Sequence, residues 1–339
     1  LFVWDGELYL ELHRGTYTSH GWLKRFNRKN EIRLHNVEWL ASLAADHGYE
    51  LDKAKLDELW QNLLLMQFHD ILPGSSVTEL YDEVRPIEQQ IADAADDMTA
   101  AAASTITDRI DTSQAQRPVV LFNTLSTERS DPVKLPDGSW RDDVTIPAGG
   151  WAMIDADAPI KRDEPTVLQV TEDGRRLSNR WWSIHIDAAG RIDEVYDQIN
   201  DRHVLREGEA ANEWHVFEDR PLKWDAWDID IYATDLRLDD PALESVRVVE
   251  RGDVRVAVEL VWRLPELPQG EQSVITQRIA LYAASPRIDF ETRVDWHEHH
   301  KVLKVAFPVN VRATEATCEI QFGHLTRPTH RNTSWDLAK

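Results

Sequence analysis

The chain has 339 residues, of which 42% are hydrophobic and 29% are charged, so it has the composition of a globular protein of two or three domains and not of a disordered chain. Asp and Glu number 60 against 38 Lys and Arg, and the formal net charge of −22 argues against nucleic acid or an anionic membrane as a partner. The single cysteine, Cys318, excludes an internal disulfide framework, and no apolar run reaches the roughly 20 residues that a membrane-spanning helix needs.

The first 112 residues contain one strand pattern followed by helical patterns. Glu7 to His13 alternates polar and apolar side chains, which predicts a half-buried strand, and a polar, turn-rich segment follows from Arg14 to Ser19. Apolar residues then recur at steps of three and four, which predicts three amphipathic helices. Because none of these helices can bury its apolar face alone, we expect an antiparallel three-helix bundle over residues 20–112.

Local signals mark the ends of these helices. Gly48 ends the first apolar stripe, and Asp52 is the expected N-cap of the second helix. Ser76 and Glu79 have the spacing of a capping box at the start of the third helix, and Pro86 inside that helix predicts a kink or a break. The apolar stripe of the second helix is Leu56, Leu59, Trp60, Leu63, Leu64 and Phe68.

From residue 113 onward the pattern is that of strands. Alternating runs cover 246–260, 274–282, 288–296 and 302–311, and turn residues separate them. Almost no helical periodicity remains in this part of the chain. The sequence therefore predicts a mainly antiparallel β-sandwich over residues 113–339.

The first candidate site is His69 with Asp70, which stand ahead of Pro73-Gly74 at a helix end. Imidazole nitrogen and carboxylate oxygen both suit zinc. Side chains that follow one another on a helix point about 100° apart, however, and a catalytic zinc needs about three protein ligands. A capping or core-edge pair is therefore the alternative interpretation.

The second candidate is the segment from Trp224 to Asp230, in which tryptophans alternate with carboxylates. A sugar ring can stack its C–H face on an indole while its hydroxyls donate to Asp225 or Asp228. Three neighbouring carboxylates are also compatible with a hard cation such as calcium. An irregular loop whose tryptophans fill a domain interface is the structural alternative.

Two histidine-containing segments complete the candidates. His297 to His300 has the composition of a metal-binding tract, but a solvated hairpin tip is the favoured interpretation. His13 belongs to a polar loop that has the residue types of a catalytic loop and equally those of a surface turn. His185 and Asp187 have the H-x-D spacing, which we interpret as alternation along a strand.

Several longer segments resemble the α-mannosidases of glycoside hydrolase family 38, and are most similar to the cytosolic and bacterial branch. The similar segments follow the family's order along nearly the whole chain. They are Trp4 to Ser19, Lys24 to Arg28, Gln67 to Gly74, Phe217 to Asp228 and Arg327 to Trp335.

This resemblance implies an α+β multidomain architecture. Residues 1–19 would form the C-terminal end of a (β/α)₇ catalytic barrel, residues 20–112 the three-helix bundle, and residues 113–339 a β-sandwich region that is expected to be truncated. Homo-oligomers and a cytoplasmic location are further expectations for members of this branch.

The resemblance also implies a zinc-dependent, retaining exo-α-mannosidase that acts on mannose-containing oligosaccharides. Carried over by motif, His69 resembles the family's zinc ligand and Asp70 the residue that contacts the mannose hydroxyls. His13 would lie at the rim of the active site, and Asp225 and Asp228 would face the same cleft.

The family's catalytic carboxylates and its H-x-D zinc motif are expected upstream of this sequence. The chain would then supply one zinc ligand and no catalytic residue, and we expect it to be inactive alone. A non-catalytic carbohydrate-binding or scaffold module is the alternative function.

Overall fold

A computed structural model describes residue 3 and residues 13–162, 167–320, 323–333 and 336. The predicted strand from Glu7 to His13 therefore lies, apart from His13, outside the described residues, and so does the predicted end of the barrel before that histidine. In the described part of the chain, no helix combines the length and apolarity that crossing a membrane requires.

Three long helices follow a 3₁₀ turn at Arg14–Tyr17. They are α1 (Gly21–Ala45), α2 (Lys53–Met66) and α3 (Thr78–Thr107). All three contribute to one buried cluster, which consists of Leu34, Val37, Leu56, Leu59, Leu63, Ile91 and Ala95. The three predicted helices are confirmed, and each contributes side chains to this cluster.

The helix ends agree with the sequence signals in part. The side chain of Asp52 caps α2, since its Oδ1 accepts the Lys55 N–H at 3.0 Å. The prediction of a capping box at the start of α3 was wrong. The N-cap of this helix is Val77, whose side chain makes no capping hydrogen bond. The backbone N–H of Ser76 instead donates to the Tyr81 hydroxyl at 2.9 Å. Helix α3 continues through Pro86 without a break.

Two members of the predicted apolar stripe of α2 do not face the core. Leu64 and Phe68 are 58% and 56% exposed, whereas Leu59 and Leu63 are fully buried. Leu64 follows Leu63 by one residue, and a step of about 100° turns its side chain away from the other helices. An apolar surface therefore precedes His69 at the end of α2.

All strand pairings within the described residues are antiparallel. In chain order the strands are β1 (Pro118–Phe122), β2 (Val133–Lys134), β3 (Trp140–Arg141), β4 (Trp151–Asp155), β5 (Gln169–Val170), β6 (Arg176–Ser178), β7 (Trp182–Ile186), β8 (Ile192–Asp197), β9 (Arg202–His203), β10 (Glu213–Glu218), β11 (Ala242–Arg251), β12 (Arg255–Arg263), β13 (Val274–Tyr282), β14 (Ile288–Asp295), β15 (Lys301–Ala306), β16 (Glu315–Ile320) and β17 (Gly323–Pro328).

The two largest sheets share one hydrophobic core. One sheet has the strand order β5-β6-β7-β8-β9 and the other β11-β12-β13-β14, while β1 pairs with β4, β2 with β3, β10 with β15 and β16 with β17. Ile184 and Ile192 from the first sheet are buried in the same cluster as Val258 and Ile279 from the second. The predicted antiparallel strands are confirmed.

The segment from His297 to His300 connects strands of two different sheets, so the predicted hairpin tip was wrong. Its Glu298 is buried, where it accepts from the Ser273 hydroxyl at 3.1 Å and pairs with Lys301. A buried carboxylate satisfied in this way holds the connection and is not available as a solvated metal ligand.

His185 and Asp187 have separate local partners. His185 Nδ1 lies 2.6 Å from Asp193 Oδ1 on the neighbouring strand. Asp187 follows β7 and accepts the backbone N–H groups of Ala189 and Arg191, both at 2.9 Å. This arrangement agrees with a strand and its turn, and it does not bring the two side chains to one ion.

Candidate functional site

The loop that begins at His13 is joined to the loop around Trp227 by backbone-directed hydrogen bonds. The Gly15 N–H donates to the carbonyl of Trp227 at 2.8 Å, and the Ser19 hydroxyl is 2.8 Å from the carbonyl of Ala226. The guanidinium of Arg14 donates to the carbonyl of Ile229. Two of the segments singled out in the sequence, more than 200 residues apart, therefore form one surface.

This junction requires glycine at position 15. A Cβ there would lie 2.9 Å from both the carbonyl carbon and the carbonyl oxygen of Trp227. Atoms at that separation overlap, and the neighbours are backbone atoms that cannot rotate away. Gly15 thus permits the close approach of the two loops.

The segment that contains His69 meets the same junction through Gly74. This glycine has φ +91°, and a Cβ on it would lie 2.9 Å from the Cβ and the carbonyl oxygen of Ser19. Ser19 is also the residue that contacts Ala226. The three sequence segments that carry His13, His69 and Asp228 consequently converge around Ser19.

His69 and Asp70 lie in the turn after α2 and extend into solvent. Their side chains are 73% and 58% exposed, and His69 Nε2 is 3.5 Å from Asp70 Oδ2. The Phe68 ring centroid lies 4.7 Å from that of His69. Because the pair stands beyond the last helical residue, the 100° helical offset does not separate the two side chains.

Hydrogen bonds to α1 and α3 fix the base of this turn, and the side chains of His69 and Asp70 take no part in them. The amide Nε2 of Gln67 donates to Asn27 Oδ1 and to Glu31 Oε1 on α1, both at 2.9 Å. The Tyr81 hydroxyl, on α3, is 3.4 Å from the carbonyl oxygen of Asp70. A turn held from two helices presents an imidazole and a carboxylate in a defined place.

His13 and Asp228 come together across the loop junction. The imidazole of His13 stands edge-on to the indole of Trp227, with ring centroids 5.1 Å apart. Burial and the negative charge of Asp230 raise the pKa of Asp228, and the positive charges of His13 and Arg14 act in the opposite direction.

Asp225 belongs to the same loop and has an exposed side chain. No hydrogen bond or ion pair within the described residues links the His69–Asp70 pair to Asp225 or Asp228.

A second carboxylate in this region, Asp219, was not among the residues predicted from sequence. Its Oδ1 is buried and has no hydrogen-bond partner among the described residues. Burial and the charge of Asp230 raise its pKa, and His300 opposes that change. Asp230 in turn accepts the Leu222 N–H at 2.9 Å and the Tyr232 hydroxyl at 2.8 Å. The similar segment from Phe217 was the available signal, but burial was not visible in it.

The described residues do not make a complete metal site. No group of three His, Cys, Asp or Glu side chains within them is arranged to hold a metal ion. His69 and Asp70 are two adjacent donors, and their exposure leaves their outward nitrogen and oxygen atoms available. This donor set fits one or two positions of a zinc site, whereas a catalytic zinc has about three protein ligands.

Comparison with known families decides the assignment. The model of the α-mannosidase middle domain matches residues 11–106, and the model of the C-terminal domain of glycosyl hydrolases family 38 matches residues 177–339. The chain belongs to glycoside hydrolase family 38. The two matches cover α1 to α3 and the strands from β6 onward.

Individual relatives agree with this membership, and a solved structure shares the fold. Human α-mannosidase 2C1 is 36% identical over the whole of this chain, and α-mannosidase G of Dictyostelium discoideum is 34% identical over 99% of it. The crystal structure of an α-mannosidase from Enterococcus faecalis V583 has the same fold, with a TM-score of 0.75 over 96% of this chain and 47% of that one at 15% identity.

The chain spans about a third of the length of these curated relatives: the match covers 33% of the human protein and 35% of the Dictyostelium protein.

Proposed function

We propose that this chain is part of a zinc-dependent, retaining exo-α-mannosidase that removes terminal α-linked mannose from oligosaccharides. The observation that carries the proposal is the exposed His69–Asp70 pair, held in a fixed turn beside the junction of two other family-like segments. The relatives that bear the name α-mannosidase support the substrate class.

Within this proposal, His69 would be one zinc ligand and Asp70 would accept hydrogen bonds from mannose hydroxyls. The zinc, when bound, would orient the sugar as a template instead of generating hydroxide. Because Asp70 follows His69 directly, a sugar bound to a zinc ion on the His69 imidazole would have its hydroxyls within reach of the Asp70 carboxylate.

The loop from Trp224 to Asp230 would line the sugar side of the cleft, and His13 its rim. The Trp224 side chain is 71% exposed, which leaves its indole face free to stack on the C–H face of a pyranose. Asp225, which is exposed beside it, would accept from a hydroxyl. Asp228 would also accept a hydrogen bond from a hydroxyl. Its pKa is raised, and the positive charge of His13 favours its ionised form.

The catalytic nucleophile and the acid/base would come from a part of the protein outside this chain. A retaining glycosidase needs two carboxyl groups about 5 Å apart, one on each side of the scissile bond. Residues 1–19 would then close a (β/α)₇ barrel, residues 20–112 would form the three-helix middle domain, and residues 113–339 the β-sandwich region. Alone, the chain would not hydrolyse mannosides.

Large apolar side chains exposed around the candidate site support an origin in a larger assembly. Phe68 is 56% exposed beside His69, and Leu222 and Ile231 are 84% and 65% exposed in the neighbouring loop. Exposed apolar side chains that form a patch are typical of surfaces that meet another structure, and we propose that these three belong to such a surface. We further propose a cytoplasmic location, which is supported by the resemblance to the cytosolic branch and by the single cysteine.

The test is hydrolysis of an aryl α-mannoside with added zinc, by the 339-residue chain and by a protein of the relatives' full length that contains it. We expect turnover by the longer protein, its loss with a chelator, and no turnover by the chain alone. Chelator-sensitive turnover by the chain alone would place the catalytic carboxylates within it and contradict the proposal. An inactive longer protein that still binds mannosides would favour the carbohydrate-binding module.

A further inference from the structure

A large cleft separates helix α1 from the outer face of β13 and β14. Its volume is about 1470 Å³. The helix contributes Arg25, Lys29 and Arg33, and the two strands contribute Arg278 and Arg293. Five cationic side chains therefore line one cleft of a chain whose net charge is −22.

Two of the three acidic side chains in the described lining of the cleft are held in ion pairs with arginines. Glu259 pairs with Arg278 at 3.0 Å, and Glu291 pairs with Arg255 at 2.5 Å. Asp295 Oδ1 lies 3.4 Å from Nε2 of His297, which carries a positive charge only when it is protonated. Asp295 is therefore the one carboxylate of the described cleft lining that is left to offset the remaining cations.

Three of the five cations have no anionic partner. Arg33 pairs with Asp96 at 3.0 Å, outside the cleft lining. Within the described residues, no ion pair is formed by Arg25, Lys29 or Arg293, and all three are exposed. The uncompensated charge of the cleft is therefore positive, against the sign of the whole chain.

Helix stability does not explain these cations. Arg25 and Lys29 are four residues apart on the same face of α1, where like charges repel each other. The first turn of α1 contains no acidic residue that could offset them. Arg293 faces them from β14, so the positive charge comes from two separate elements.

We propose that this cleft binds a small, multiply charged anion of the oligophosphate class. Guanidinium groups bind phosphate oxygens through paired, charge-assisted hydrogen bonds, and a lysine adds a point charge. A net charge of −22 repels a long polyanion such as nucleic acid, whereas a compact anion that lies between the two walls of the cleft meets mainly the local positive charge. The site shares no residue with the proposed mannoside site.

The probe is inorganic tripolyphosphate, and binding to the 339-residue chain is measured by titration calorimetry. The test variant is Arg25→Gln/Lys29→Gln/Arg293→Gln. The matched control is Lys53→Gln/Arg109→Gln/Arg312→Gln, which removes three exposed cations that lie outside the cleft. All six side chains are exposed, and circular dichroism checks that each variant is folded.

We expect the wild-type chain and the control to bind with affinities within about twofold, and the cleft variant to bind about tenfold or more weakly. Binding should weaken as salt increases. No binding by the wild-type chain, or an equal loss in both triple variants, would overturn the proposal. Tighter binding of a glutamate peptide than of tripolyphosphate would also overturn it and assign the cleft to an acidic protein segment.

Discussion

Replacing Gly15 by alanine tests the junction of the two loops at the candidate site. The added Cβ would lie 2.9 Å from the backbone carbonyl of Trp227, where ordinary contacts begin at 3.4 Å, so the loops must separate by roughly half an ångström. Overpacking of this kind costs about 1–3 kcal/mol, and stretching the 2.8 Å hydrogen bond from the Gly15 N–H costs about 1 kcal/mol more. We expect a loss of about 2–4 kcal/mol in the free energy of unfolding.

Equilibrium urea unfolding followed by tryptophan fluorescence measures this loss, because Trp224 and Trp227 lie in the affected loop. Gly21→Ala is the matched control. Nothing lies within 4 Å of a Cβ at that position, and alanine favours the helix that begins there. If Gly15→Ala is as stable as Gly21→Ala, the close approach to Trp227 does not hold the loops together and the reasoning fails.

Two further substitutions test buried polar groups. Asn30→Ala removes the amide that donates to Glu88 Oε2 at 2.6 Å, and both residues are fully buried. Urea unfolding should therefore show a loss of about 2 kcal/mol in the free energy of unfolding. A loss below about 0.5 kcal/mol would contradict this role of the hydrogen bond. Burial and Asp230 raise the pKa of Asp219, so ionisation of Asp219 opposes folding above that pKa. Asp219→Asn should therefore stabilise the chain at about pH 7 and lose this advantage at about pH 4. Thermal unfolding at the two pH values measures the difference. An equal effect at both pH values would argue against a charged Asp219 in the folded chain.

The helices were predictable because their signals are local. Val37, Leu56 and Ile91 each belong to the apolar stripe of a different helix, and the spacing within each stripe depends only on the helical repeat. The three residues meet in the buried cluster. The cap at Asp52 also involves residues three positions apart. Ser76 is not the cap because the helix begins one position later than its pattern predicts, with Val77 as N-cap, and the Ser76 N–H donates to the Tyr81 hydroxyl.

The sequence could propose residues for the candidate site but not their arrangement. The hydrogen bond between Arg14 and Ile229 joins positions 215 residues apart, and spacing alone cannot bring such segments together. The burial of Asp219 likewise results from the fold around it. The roles proposed for His69 and Asp70 come from the resemblance of the segments, while the structure shows their exposure and their fixed turn.

The most direct test of the proposed role of this chain is the zinc content of the full-length protein that carries His69→Ala. The matched control is His47→Ala, which changes an exposed histidine in the turn after α1. The account predicts that the control retains its zinc and that His69→Ala loses most of it while its circular dichroism is unchanged. Normal zinc content in His69→Ala would contradict the assignment of His69 as a ligand.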